Sequence, residues 1–276
     1  MFAFARPALD FRPVLFSVRC ILAPKQKLSL KQLLKPFPAL LMLCVGLTAQ
    51  AEPIALSSPQ QQTTLLELYT SEGCSSCPTA DKWLSGLQQD PRLWRQVIPV
   101  AFHVDYWDYI GWPDRFAAAD YGRRQRNHAM NWGNGRVYTP GLVQNGQEWS
   151  GWFRNRELQL DRCKTIGSLQ LRIDGNTYQA RFEPVADSPA KLELNLALLG
   201  FDLQSEIAAG ENRGRTLRHD FVVLAYQRVP LQPSGRGFKL RSELPTQRFQ
   251  SNRRAVAAWI SKPHDPRPLQ AVGGWL

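Results

Sequence analysis

The order of hydrophobic and polar positions predicts a strand that leads into a helix early in the chain. Residues 65–70 are apolar, β-branched or aromatic apart from Glu67, which is typical of a buried strand. Residues 97–105 alternate as a second core strand. Between them an apolar stripe at helical spacing predicts a helix that begins near Ser75, and its members are Ala80, Trp83, Leu84 and Leu87. The strand–helix–strand order predicts parallel pairing.

The pattern of the following segment predicts an insertion, a hairpin and a last helix. Residues 106–136 are first aromatic and then rich in arginine, and we expect helix from about Asp114. Asn145-Gly146 lies between two apolar stretches, which is typical of a tight β-hairpin. Residues 156–166 show helical spacing that ends at Gly167, a residue typical of helix C-termini. The predicted order is therefore β-α-β-α-β-β-α.

The hydrophobic pattern changes to short alternating runs over residues 168–276. Residues 169–173 and 177–182 flank an Asp-Gly-Asn turn and predict a second hairpin. Residues 191–199 and 221–229 predict further strands. We therefore expect a smaller β-rich, sandwich-like domain in this half of the chain.

The first 51 residues differ from the rest in charge and hydropathy. They carry seven Lys or Arg and one Asp, so they contribute more than half of the net charge of +11. An apolar run over 37–47 precedes Ala49-Gln50-Ala51, a pattern typical of a signal peptide cleaved before Glu52. The run is too short for a membrane span, which needs about 20 residues. We expect export to the periplasm or beyond, no span in the mature protein, and a polar linker over 52–62.

Loss of this leader would leave Cys74, Cys77 and Cys163. In an oxidising compartment a Cys-x-x-Cys pair is a disulfide or a redox couple. A zinc site needs two more ligands at workable spacing, and the sequence has no second Cys-x-x-Cys and no paired histidines. The other conceivable metal ligands are His103, Asp105, Asp108 and His128. We expect no metal and no other cofactor, and we expect Cys163 to be a buried helix residue.

The Cys74/Cys77 pair predicts thiol–disulfide exchange. Cys74 falls near the predicted helix N-terminus, where free N–H groups and the helix dipole favour a thiolate. It would attack through a mixed disulfide, and Cys77 would resolve that intermediate. The intervening Ser75 and Ser76 would donate hydrogen bonds to the Cys74 thiolate. The alternative at this point is a static disulfide.

The predicted function follows from that pair. We expect an exported thiol–disulfide oxidoreductase that acts on a thiol or disulfide protein, a redox partner or a small thiol. The alternative is a non-catalytic periplasmic binding or scaffold protein with Cys74–Cys77 as a structural disulfide. The basic residues outside the leader are scattered, so the sequence gives no support for nucleic-acid binding.

Several motifs resemble known families. The strand, the Cys-x-x-Cys helix, the second strand and Thr139-Pro140 before a hairpin resemble the thioredoxin superfamily. This resemblance implies an α/β thioredoxin-like domain over 63–167, with Pro140 as a cis-proline beside the cysteines and the backbone of Thr139 open to an extended substrate. Four motifs resemble more closely an exported bacterial family, domain of unknown function 1223, which implies no substrate. They are E-L-Y-T-S-E-G-C-S-S-C-P, F-H-V-D-Y-W-D-Y-I-G-W, V-Y-T-P and G-E-N-R-G-R-T-L.

The thioredoxin resemblance also implies a buried carboxylate that exchanges a proton with Cys77. Glu67 and Asp105 are the candidates. Glu67 is one position off the thioredoxin spacing, where Leu68 stands, and strand alternation would turn it to the other face. Asp105 closes its strand and would equally cap the next segment.

Overall fold

The computed structural model describes residues 52–154, 156–160 and 163–276. Within them lie two α-helices, α1 (Cys77–Gly86) and α2 (Ala119–Asn131). The strands of the first half are β1 (Ile54–Ser57), β2 (Thr64–Thr70), β3 (Val97–His103), β4 (Gly141–Gln144) and β5 (Gln147–Glu148). Those of the second half are β6 (Gly167–Asp174), β7 (Thr177–Pro184), β8 (Glu193–Gly200), β9 (Leu203–Glu206), β10 (Thr216–His219), β11 (Val222–Pro230), β12 (Gln232–Ser234), β13 (Gly237–Glu243), β14 (Arg254–Ser261) and β15 (Pro268–Trp275).

One eight-stranded sheet takes strands from both halves of the chain. Its order is β15-β14-β8-β11-β3-β2-β4-β5. The β2/β3 pair is parallel, as the strand–helix–strand order predicts, and β3 also pairs in parallel with β11 through Ala101 and Val222. The other pairs of this sheet are antiparallel.

The predicted fold class is therefore wrong. The described chain is mostly β, and its main sheet is not the sheet of an α/β thioredoxin-like domain followed by a separate, smaller β-rich one. The physical reason lies in β8 and β14, whose side chains are buried on both faces. Strands of that kind cannot form the outer layer of a small sandwich, and they extend the large sheet instead.

Two further predictions fail locally. The predicted helix over 156–166 is absent from residues 156–160 and 163–166, where Leu158 is buried and its carbonyl accepts a hydrogen bond from Arg92 Nη1 at 3.1 Å. The predicted linker contains β1, which pairs with β6. The predicted leader, residues 1–51, lies outside the described residues.

A five-stranded antiparallel sheet covers one face of the large sheet. Its order is β1-β6-β7-β13-β12, and its strands alternate buried and exposed residues. The inner face packs its apolar side chains against β8, β11 and β14, as in the contact of Leu171 and Phe182 with the cluster around Leu196. On the opposite face of the large sheet, the Arg124 guanidinium of α2 packs over the rings of Phe102 on β3 and Trp259 on β14. No helix among the described residues is long and apolar enough to cross a membrane.

Candidate redox site

Cys74 and Cys77 form a disulfide in the turn between β2 and α1. Their Cα atoms are 5.4 Å apart. The predicted strand is observed as β2, but the helix begins at Cys77, two residues later than predicted. Pro78 fits the first turn of a helix because it needs no N–H partner there, and the preceding serines form the turn. Cys77 is therefore the first helical residue, and Cys74 lies one turn ahead of it.

The two sulfur-bearing residues differ slightly in burial. Cys74 is 2% exposed and Cys77 is fully buried. Ser75 and Ser76 between them are exposed. Ser76 Oγ lies 3.4 Å from Cys74 Sγ, in the place predicted for a donor to the thiolate. Both residues of the pair are therefore buried, and only Cys74 retains a trace of exposed surface.

A loop from the second half of the chain covers the disulfide turn. Asn212, fully buried, donates hydrogen bonds from Nδ2 to the carbonyls of Glu72 at 2.8 Å and Cys74 at 2.9 Å. Glu211 Oε2 accepts the N–H of Ser75 at 3.0 Å. These contacts give the G-E-N-R-G-R segment a position in the site. The sequence contains this segment as a family motif but does not indicate that it packs on the disulfide turn.

The aromatic segment after β3 also packs against the disulfide turn. Gly73 leaves little room for a side chain, because a Cβ there would lie 3.1 Å from Trp107 Cβ and 3.2 Å from Ile110 Cδ1, tighter than ordinary contacts. Trp107 Nε1 donates to Thr139 Oγ1 at 2.7 Å. The Thr139-Pro140 peptide bond is cis. Trp107 therefore connects the disulfide turn to Thr139, which lies next to Pro140.

A buried cluster of carboxylates and histidines lies behind the disulfide turn. His103 Nδ1 is 2.6 Å from Asp114 Oδ2, and the same oxygen accepts the N–H of Glu72 at 2.9 Å. His219 Nε2 lies 3.2 Å from Glu72 Oε1, and its Nδ1 lies 3.8 Å from Asp81 Oδ2. All five side chains are at most 7% exposed. We call this set the acid–histidine cluster.

Asp81 is the member of that cluster that shares a helix with Cys77. It follows Cys77 by four residues on α1, so both side chains lie on one helix face, and helical side chains lean toward the N-terminus. Burial raises the pKa of Asp81, and the nearby His219 and His103 only partly oppose this effect. His103 Nε2 has no hydrogen-bond partner among the described residues. The cluster can therefore take up and release protons one turn from Cys77.

The other carboxylates of the cluster are held as anions. Burial alone would raise the pKa of Glu72, but its polar neighbours, with the nearby His219 first, lower it. Burial likewise opposes ionisation of Asp114, and the charge and hydrogen bond of His103 outweigh it and lower that pKa. In return Asp114 raises the pKa of His103 against the effect of burial. Asp81 is thus the cluster's carboxyl group with the strongest tendency to carry a proton.

Glu67 belongs to a different buried cluster. Arg124 donates to its carboxylate from Nε at 2.6 Å and from Nη2 at 2.9 Å, Tyr69 OH donates at 2.8 Å, and His128 Nε2 lies 3.2 Å away. Although burial alone would raise the pKa of Glu67, Arg124 and His128 lower it far below its usual range. Its partners lie on β2 and α2, so the structure places Glu67 in an ion-pair network and not with the acid–histidine cluster. We call this set the Glu67–Arg124 cluster.

The remaining predicted residues are dispersed. Asp105 is half-buried, and its side chain packs against Gly122 of α2. His103 and His128 belong to the two different clusters. Among the described residues no group of three or more His, Cys, Asp or Glu is placed to hold a metal ion. Cys163, predicted to be a buried helix residue, is exposed and lies outside any helix.

Sequence reasoning missed Asp81, His219 and Asn212. A signal for Asp81 existed, because it lies at i+4 in the buried series that runs from Cys77 to Leu84 on α1. An acidic residue inside an apolar stripe indicates a buried carboxyl group. No local pattern could have placed His219 or Asn212, since both reach the site from more than 130 residues away along the chain.

Comparisons with known proteins agree with this fold and leave the activity open. A solved structure of protein AGR_C_4864 from Agrobacterium tumefaciens is similar at 21% identity and a TM-score of 0.55, over 79% of this chain and 96% of that chain. HBP35 of Porphyromonas gingivalis is similar at 15% identity and a TM-score of 0.52, over 78% of this chain and 76% of that chain. At these identities the likeness shows the fold alone. No curated protein matches the sequence.

The sequence itself identifies a family. The family described as "Protein of unknown function (DUF1223)" matches residues 65–261, which include the disulfide, both clusters and the G-E-N-R-G-R loop. Because this match covers well over half of the sequence, the chain belongs to the DUF1223 family.

Proposed function

We propose that the chain is a thiol–disulfide oxidoreductase that uses the Cys74/Cys77 couple. The observation that carries the proposal is the buried Asp81 one helical turn after Cys77, in contact with His219. Opening a disulfide releases a thiolate that must gain a proton, and closing it requires a thiol to lose one. A static disulfide has no use for such a group, and a buried carboxyl group is costly to maintain.

The reaction proceeds in two exchanges. A substrate thiolate attacks Cys74 Sγ, the Cys74–Cys77 bond breaks, and Cys77 leaves as a thiolate that takes the proton of Asp81. A second substrate thiolate attacks the substrate sulfur of the mixed disulfide, and Cys74 leaves as a thiolate. The substrate loses two electrons as its disulfide forms, and the cysteine pair gains them. In the reverse direction the Asp81 carboxylate takes the Cys77 proton.

The geometry orders the two cysteines. The trace of exposed surface at Cys74 supports its role as the sulfur under attack, and the full burial of Cys77 supports its role as the leaving and resolving sulfur. Cys74 lies one turn ahead of α1, where the positive end of the helix dipole stabilises its thiolate. Export to an oxidising compartment belongs to the same proposal, because such a compartment keeps the couple poised for exchange.

The proposal is tested by the reduction potential of the couple and by trapping. We expect equilibration with glutathione buffers, followed by alkylation of free thiols, to give a potential above about −300 mV, where labile disulfides lie. Cys77→Ser should accumulate a mixed disulfide with glutathione at Cys74. Cys163→Ser is the matched control, since its exposed thiol lies outside the couple, and it should leave the potential unchanged.

A second function is favoured by a specific observation, the burial of both cysteines. In this alternative the disulfide is structural and fixes the turn on which Asn212 and Trp107 pack, in a binding or scaffold protein. A potential below about −300 mV, together with no mixed disulfide in Cys77→Ser, would establish it and exclude the oxidoreductase.

A further inference from the structure

The outer face of the five-stranded sheet carries an organised set of cations. Strand alternation points Arg172 on β6, Arg181 on β7, and Lys239 and Arg241 on β13 away from the core, and all four are exposed. They line a shallow concavity of about 1020 Å³, bordered by Pro230 at the end of β11. This face is remote in sequence from the cysteines and has no part in the proposed exchange.

The strand register places these cations in two adjacent rows that run across the strands. In the first row Arg172 faces Gln179, which faces Arg241. In the second row Gln170 faces Arg181, Arg181 faces Lys239, and Lys239 faces Gln232. No carboxylate stands in either row. We call these two rows the cationic strip.

Carboxylates lie on both sides of the strip. Asp174 and Glu243 occupy the next outward positions on one side, and Glu183 on the other. Glu183 pairs with Arg181 at 2.7 Å, whereas no ion pair engages the other three cations of the strip among the described residues. At about 4.8 Å between strands and about 3.4 Å per residue along them, the strip crosses four strands and is roughly 14 Å long and 7 Å wide.

These dimensions select a linear ligand. A flat anionic surface would bring its charges against the flanking carboxylates, whereas a single extended chain would fit between them. An extended peptide of about four residues spans about 14 Å, so a hexapeptide reaches across the whole strip. The glutamines of the strip present both amide donors and carbonyl acceptors, which match the N–H and C=O groups of a peptide backbone.

The same chemistry disfavours other polyanions. The two rows contain no aromatic side chain, so they provide no stacking platform for nucleic-acid bases. Residues 1–51 of this chain are also an unsuitable occupant, because they carry seven Lys or Arg and one Asp.

We propose that the cationic strip binds an extended acidic peptide segment of a partner protein. Its cations would pair with Asp or Glu side chains, and its glutamines would hydrogen-bond the peptide backbone. Exposed ion pairs of this kind are individually weak and depend on salt, so affinity would come from several contacts and would fall with ionic strength.

The test is fluorescence anisotropy of a labelled hexaglutamate peptide with the full chain at 50 mM NaCl. We expect Arg172→Glu/Lys239→Glu to weaken binding at least tenfold, and Arg172→Gln/Lys239→Gln at least threefold. The matched control Arg95→Glu/Lys262→Glu reverses two exposed cations outside the strip and should change binding less than twofold. Circular dichroism melts check that each variant is folded, and every variant carries the same residues 1–51.

Two outcomes would overturn the proposal. Equal losses in the strip and control variants would show that only net charge matters. Tighter binding of a single-stranded oligonucleotide or of heparin than of hexaglutamate, with the same dependence on Arg172 and Lys239, would show that the strip belongs to another polyanion. Neither outcome bears on the redox measurements, so this inference and the proposed function stand or fall separately.

Discussion

The two buried polar clusters are built from similar residues and differ in one respect. The Glu67–Arg124 cluster contains a carboxylate and an arginine that is always charged, so its ions are paired at every ordinary pH. The acid–histidine cluster has three carboxyl groups and two histidines and includes no arginine or lysine. Its charge balance therefore depends on where protons reside. Buried charge can thus be a fixed part of the fold, when its partner is an arginine, or it can change with protonation, when its partners are histidines.

The largest expected effect comes from breaking the fixed pair. Arg124→Met leaves the Glu67 carboxylate buried without its main cation, which should lower the free energy of unfolding by about 3–5 kcal/mol. Urea unfolding followed by circular dichroism measures it. Arg123→Met on the same helix removes only an exposed ion pair with Asp120 and should cost less than about 1 kcal/mol. Equal losses in the two variants would contradict the contrast between buried and exposed pairs.

The second prediction concerns the pH dependence at Asp81. Because its pKa is raised in the folded state, its contribution to stability is present below the ordinary value of 3.8 and is lost as pH rises through the folded value. Asp81→Asn should therefore gain stability relative to wild type between pH 3.5 and pH 8, as measured by urea unfolding at the two pH values. Asp187→Asn, at an exposed position, is the control. A difference between wild type and Asp81→Asn that is the same at both pH values would exclude a titrating Asp81.

Glu67 should show the opposite pH dependence. Its pKa is lowered in the folded state, so its stabilising contribution is present above the ordinary value of 4.5 and is lost as pH falls toward the folded value. The destabilisation caused by Glu67→Gln should thus be largest near pH 7 and should shrink below about pH 4. Urea unfolding at pH 7 and pH 3.5 measures the trend, and an effect that grows in acid would contradict it.

A smaller effect is expected from the loop that covers the disulfide. Asn212→Ala removes two hydrogen bonds to the carbonyls of Glu72 and Cys74, at about 1 kcal/mol each. The loosened turn should be reduced by dithiothreitol at least fivefold faster, as followed by alkylation of the released thiols. Arg213→Ala, an exposed neighbour, should leave the rate unchanged. An unchanged rate for Asn212→Ala would show that this loop does not control access.

The smallest effect is expected at Ser76. Its hydroxyl approaches Cys74 Sγ at 3.4 Å, a weak contact whose loss should change the equilibrium constant with glutathione less than about fivefold. Thr79→Ala, exposed on α1, should cause no change. A larger shift in Ser76→Ala would make that hydroxyl a principal donor to the thiolate.

The sequence predicts the local elements well and their assembly poorly. A nearly continuous apolar run located β2, period-two alternation located β3, β6 and β7, and Asn145-Gly146 located the turn between β4 and β5. These features depend on neighbouring residues only. The pairing of β3 with β11 joins positions about 120 residues apart, and no local periodicity records such a contact.

The candidate site could likewise be predicted only in its local features. The spacing of Cys74 and Cys77 and the position after a buried strand were visible in the sequence, and the structure joins this pair in a disulfide. Glu67 is a buried carboxylate, as expected, but it forms an ion pair with Arg124 on α2. The sequence contains both residues without showing that they meet. Asp81 was missed, although the sequence contains its signal, an acidic residue within an apolar helix face.

The parallel pairing of β3 with β11 has a consequence for synthesis of the chain. When β2, α1 and β3 leave the ribosome, the strand that completes the edge of β3 is still about 120 residues from being made. Until then β3 presents unpaired N–H and C=O groups, which are a template for association with other chains. Contacts between such distant segments also form slowly. The region that contains the cysteines therefore keeps part of a strand edge unpaired until the second half of the chain is made.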